Sequence, residues 1–200
     1  MLQEEGSVKN ASNDRRGGYW TPMSPRRRKR DVLPLPAALD RLERLLDGVR
    51  AKVEARRAFT CAGCEAHCCR VGRNAMLVTR LETEAILDRM ERDPELRPFL
   101  PGIADRLAET AARLLGEEGP ELPTFDCPFL GEDNRCLIHG RGQPLGCVTF
   151  MPIEGDRCDH REDEFVAAFE ELIALQTAWL GVEDREGELI PIAVQDALES

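Results

Sequence analysis

The sequence predicts a mainly α-helical domain in which amphipathic helices flank two irregular, cysteine-bearing loop segments. Three observations lead there. Apolar residues recur at steps of three and four over long stretches, the period of a helix with one buried face. Residues 121–160 lose that period and collect four of the eight cysteines together with five prolines, counting Pro120 just before them. The other four cysteines crowd into residues 61–69, directly behind the first helical stretch.

The N-terminal segment stands apart from the rest. Residues 1–30 carry a net charge of +5, whereas the other 170 residues carry −15 within a total of −10. Poor in apolar residues, residues 1–34 read as a disordered basic arm. The run Arg26-Arg27-Arg28-Lys29-Arg30 could hold nucleic acid or another acidic partner. A solvated tail with no specific partner weighs at least as much. The acidic body is unsuited to nucleic acid. Asp31, Pro34 and Pro36 follow the basic run where a secretory signal would place an apolar stretch. No segment approaches the roughly 18 apolar residues of a membrane span. The expectation is a cytoplasmic protein with no membrane partner.

Residues 35–180 form the expected domain. Leu35, Leu39, Leu42, Leu46, Val49 and Val53 make one seam of a helix over roughly 37–57. Asp40, Arg41, Glu43, Arg44, Asp47 and Arg50 keep its other face wet. Thr79 and Glu82 fit a capping box, opening a helix that buries Leu81, Ala85, Ile86 and Met90 before Pro94. A third helix is expected over 102–116, with Ile103, Leu107, Leu114 and Leu115 inward. The last runs from 163 to 180 with Phe165, Phe169, Leu172, Ile173 and Trp179. Residues 181–200 read as an acidic tail. A structureless stretch as long as 121–160 needs something to order it. A bound metal supplies that order, because its binding free energy becomes folding free energy. A small, irregular, metal-organised core is therefore expected.

The cysteines carry the chemistry. "TCAGCEAHCCRVG" spaces Cys61, Cys64, Cys68 and Cys69 as C-x2-C-x3-C-C. In a reducing compartment such density points to metal or redox chemistry rather than disulfides. Inert core thiols would be scattered. C-x2-C is the common chelating unit, and in a helix Cys61, Cys64 and Cys68 would share one face. Adjacent Cys68 and Cys69 project differently, which suggests two metals or two sides of one centre. Cys127, Cys136, Cys147 and Cys158 lack a second C-x2-C, so the zinc-ribbon layout is absent. The ferredoxin run and the radical-SAM spacing are absent too. Eight thiolates suffice for two tetrahedral sites, and thiolates take zinc and iron alike. His67 and His139 are further candidates, His139 as an extra ligand or proton carrier, while His160 reads as exposed. Arg70, Arg73, Arg135 and Arg157 flank cysteines and would favour thiolates, although solubility explains them equally. "GRGQPLG" fits no phosphate loop.

"CAGCEAHCC", "CPFL", "RCLIHGRGQPLGCVTFMP" and "RCDHR" together resemble the cysteine-cluster proteins of the YkgJ type, described as chelating zinc or iron. The resemblance spans about residues 60–161 and retains the order of all eight cysteines. It implies that Cys61, Cys64, Cys68, Cys69, Cys127, Cys136, Cys147 and Cys158 are metal ligands. The chain departs from that pattern with one extra residue before Cys68, a Cys136–Cys147 gap one residue longer, and His139, Gln143 and Val148 in place of Tyr, Arg and Arg. It is similar also to a flagellin lysine methylase with this type of cluster. The leading expectation is a metal-binding protein holding zinc or iron, an iron–sulfur cluster included. A metal-dependent enzyme acting on a protein side chain and a zinc-stabilised adaptor using the basic arm are the alternatives.

Overall fold

Proline punctuates the helices where its missing N–H is harmless. α1 (Leu35–Glu54), α3 (Leu100–Leu115) and α6 (Ile190–Glu199) each carry a proline in the first turn, where the backbone donor has no intrahelical acceptor anyway. α2 (Arg80–Arg92) begins instead with the expected capping box, in which Thr79 and Glu82 satisfy each other's backbone donors. α4 (Leu145–Thr149) is a single short turn and α5 (Glu162–Leu180) the long helix that follows. The computed structural model describes residues 32–55, 66–116, 122–153, 157–160 and 162–200. The basic arm lies outside these as far as residue 31.

The structure is mainly helical. Strands are short: β1 (Leu77–Val78) pairs antiparallel with β4 (Glu188–Leu189), and β2 (Phe150–Ile153) with β3 (Arg157–His160). Among the described residues, no helix is long and apolar enough to cross a membrane.

Two apolar cores share one wall. In the first, α1 packs on α4 and α5 through Leu42, Leu46, Val49, Val53, Leu145, Val148, Ala168 and Leu172. In the second, α2 and α3 pack on α6 through Ile86, Met90, Ile103, Leu107, Leu114, Ile190 and Val194. α2 belongs to both, with Leu81 and Ala85 facing the first core and Ile86 and Met90 the second. Buried Gln176 of α5 fixes this wall from one side. Its carbonyl oxygen accepts from the Leu81 N–H at 2.9 Å and its amide donates to the Asp184 carbonyl at 2.9 Å. Both ends of the buried amide are thereby satisfied, as burial requires.

Four details differ from the periodicity. Leu115 is 69% exposed because α3 ends there and its side chain clears the stripe of Ile103, Leu107, Ala111 and Leu114. α1 rolls at its start, burying Ala38 and leaving Leu35 and Leu39 at the margin of the core. Residues 121–160, expected to be wholly irregular, contain α4 and the β2–β3 hairpin. Residues 181–200 are more than an acidic tail. Four of their six acids precede α6, in which Ile190, Ala193 and Val194 join Leu189 to close the second core.

Leu107 is fully buried and Leu115 mostly exposed on the same helix. Leu107→Ala is expected to lower unfolding free energy by about 2–5 kcal/mol. Leu115→Ala should change it by less than about 0.5 kcal/mol. Urea denaturation measures both, and equal losses would contradict the assigned face of α3.

Candidate metal centre

The first cysteine segment enters the described structure at Ala66, a buried residue with φ of 59°. An alanine in the left-handed region is a strained conformation of the kind that gathers at functional sites. One 3-10 turn, His67–Cys69, follows, closed by the Cys69 N–H on the Ala66 carbonyl at 2.8 Å.

From there the segment is laced to the second cysteine segment. The Cys127 N–H donates to the Cys69 carbonyl at 2.8 Å, and the Phe125 N–H to the Asn74 carbonyl at 2.9 Å. In return, the Val71 N–H donates to Asp126 Oδ1 at 2.9 Å and the Gly72 N–H to Thr124 Oγ1 at 2.8 Å. Side-chain oxygens thus serve backbone donors that no helix or sheet supplies. Residues 129–137 then fold back on themselves. The Leu137 N–H reaches the Phe129 carbonyl and the Gly131 N–H the Arg135 carbonyl, both at 2.8 Å. Asn134 takes a φ of 60° at the tip, a conformation that asparagine tolerates. This fold-back sets Cys136 opposite Leu130.

Cys147 arrives by another route. It lies in α4, whose first N–H, that of Leu145, donates to Glu82 Oε1 at 2.8 Å. Glu82 Oε2 accepts from the Thr79 N–H at 2.8 Å and the Thr79 hydroxyl at 2.9 Å. One buried carboxylate therefore caps α2 and anchors the turn that carries Cys147. Burial raises the pKa of Glu82, against the hydrogen bonds, which lower it.

Burial and neighbouring thiols raise the pKa of two of these cysteines, Cys127 and Cys147. Burial foremost, then the proximity of Cys136 and Cys68, pushes Cys127 up to about 12, against the Phe129 N–H and the Arg106 guanidinium. Cys147 is raised well above the ordinary thiol range by burial, then by Cys127, Cys136, Cys68 and Glu82. A charge on Cys127 would thus be opposed by Cys136 and Cys68, and one on Cys147 by Cys127, Cys136 and Cys68, although these residues come from three separate stretches of chain. Cys69 Sγ lies 4.0 Å from Cys68 Sγ, while its side chain packs against the second core. No disulfide joins any two of these five residues. Among the described residues, no three His, Cys, Asp or Glu side chains are drawn close enough to close round a cation.

The remaining predicted residues divide as follows. Cys61 and Cys64 lie outside the described residues. Cys158 is placed by its backbone, opposite Pro152 in the β2–β3 hairpin. The backbone likewise places His67 in the 3-10 turn and His160 opposite Phe150. His139 is exposed, and its N–H donates to the Cys136 carbonyl at 3.2 Å. Thr124, Asp126, Asn74 and Gln176 give no sequence signal of their roles, whereas Glu82 announces its cap but not its reach to Leu145.

The donor set suits a soft or borderline metal. Thiolates select zinc, iron and iron–sulfur centres over magnesium or calcium. Comparison with protein-family models, curated proteins and solved structures finds no match to this chain.

Glu82 makes the fold sensitive to pH in a definite direction. An unfolded glutamate protonates near about 4.3, and the folded one above that because its pKa is raised. Between the two values the folded chain holds the extra proton. The stability from this group is therefore present at low pH and declines as pH rises through the folded pKa. Glu82→Gln should remove that component from a plot of stability against pH. Glu82→Ala leaves the Leu145 and Thr79 donors without their acceptor and should cost about 1–3 kcal/mol at neutral pH. Parallel pH profiles for wild type and Glu82→Gln would refute the assignment.

Proposed function

We propose that the protein binds zinc or iron, an iron–sulfur cluster included, through a thiolate centre that orders its two cysteine segments. The observation that carries this reading is the lacing of the two cysteine segments, the Cys127 N–H on the Cys69 carbonyl at 2.8 Å, together with the opposition that Cys68 and Cys136 offer to charge on Cys127 and Cys147. A cluster of neutral thiols is a poor use of four converging side chains, whereas a cation would exchange their protons for coordinate bonds. Cys69 stands next to the set, as a bridging or second-site ligand would.

Cys61, Cys64 and Cys158 complete the proposed ligands by the resemblance to the YkgJ-type proteins. Eight thiolates would hold about two zinc ions in tetrahedral sites, or one polynuclear iron centre. When bound, the metal supplies cross-links between residues 66–76, 122–138 and 145–149. The chain's own part is to hold the donors in place through the lacing around Cys69 and Cys127 and through Glu82. A reducing cytoplasm is the compartment in which such thiols persist.

Metal and acid-labile sulfide analysis on protein purified without oxygen tests the reading. About two zinc ions per chain, or iron with sulfide and absorbance near roughly 400 nm, is expected. Cys127→Ser and Cys147→Ser should each lose metal and thermal stability together, since structural metal contributes about 10 kcal/mol or more to folding. A folded wild-type chain that takes up no metal, or variants with undiminished content, would refute it.

A further inference from the structure

α1 and α5 lie side by side, and the Leu33 N–H on the Ala178 carbonyl at 2.8 Å sets the start of α1 beside the end of α5. The two helices therefore run antiparallel, and a groove opens to solvent between them. Its walls differ in charge. Arg41, Arg44 and Lys52 stand along the α1 side, Glu164 and Glu171 along the α5 side. Among the described residues, Arg41, Arg44, Lys52 and Glu171 take part in no ion pair, whereas nearby Arg50 is held by Asp47. Leu45 and Leu175, both half-buried, make its floor apolar.

Gly48 also lines the groove, exposed and well inside a 20-residue helix. Glycine at such a position costs about 1 kcal/mol against alanine. A Cβ there would meet nothing of this chain within 4 Å. Packing within the chain gives no reason for the glycine, and close approach of a second backbone does.

We propose that this groove is the interface between two copies of the chain. A groove with bases on one wall and acids on the other is self-complementary about a two-fold axis along its length. That axis lays α1 of one copy over α5 of its partner. The basic wall of each then meets the acidic wall of the other, and the paired helices form one bundle. An acidic helix from a different protein would satisfy the α1 wall but set its acids against Glu164 and Glu171. A second copy satisfies both walls.

Sedimentation equilibrium on the full chain, purified without oxygen and kept reduced, tests the interface. The wild-type mass should rise with concentration to twice that of one chain. Arg44→Glu and Glu171→Arg should each raise the dissociation constant by about tenfold or more. Combined in one chain, they should return it to within about threefold of wild type. Gly48→Gln should weaken association by about tenfold. The dissociated Gly48→Gln chain should be no less stable to urea, because glutamine is the better helix former. Circular dichroism checks that each variant is folded, and the substitutions lie on different elements of the groove so that loss of one to misfolding leaves the others. A single-chain mass at every concentration would overturn the interface. So would a dimer indifferent to these substitutions, or a double reversal no tighter than the single ones.

Discussion

The buried carboxylate of Glu82 is the interaction on which the arrangement of the two cores turns. A capping box needs that side chain only to reach back to the N-cap backbone. Here one oxygen does so, and the other accepts from Leu145 across the fold. The five residues of α4 are too few to be helical on their own. Glu82, the contacts with α1 and α5, and the Thr149 hydroxyl on the Leu145 carbonyl hold the turn. Burial makes the charge costly, and three donors offset that cost. The position of Cys147 follows from an ordinary helix cap with one extra bond.

The cysteine segments pose a different problem. They pass close to the core without a ladder of their own, and their backbone donors still need partners. Thr124, Asp126 and Asn74 answer locally, each from the opposite strand of chain. The consequence is positional. Pairing Cys69 with Cys127 through the backbone sets the distance between the two segments before any metal is considered. β1 secures the other end of the first segment by pairing with β4, and the Ile190 N–H donates to the Met76 carbonyl.

Much of the helical fold was legible because burial imposes the helical period on the sequence. The stripes of α2 and α3 and the Thr79 cap could be read directly, and the last long helix lies within a residue of its expected start. α6 was hidden for a physical reason. Its ten residues are too few to show a convincing period, and Glu183, Asp184, Glu186 and Glu188 before it gave the region an acidic character. α4 and the β2–β3 hairpin were hidden by proline and glycine, which break every simple pattern. For the candidate site, cysteine identity and density drew attention to the thiols. Nothing in their spacing said that Cys147 would join Cys68, Cys127 and Cys136, because that depends on Glu82 and on hydrogen bonds between residues more than fifty positions apart.

Protonated thiols also suit this region to hydrophobic packing. Holding the Cys127 proton up to about 12 rather than near 9.0 corresponds to about 4 kcal/mol in favour of the neutral thiol. A neutral cysteine behaves as a small apolar side chain, and Cys69, Cys127 and Cys136 all border the second core. The helices can therefore assemble around protonated thiols without a buried charge. On the proposed reading the metal must then displace those protons.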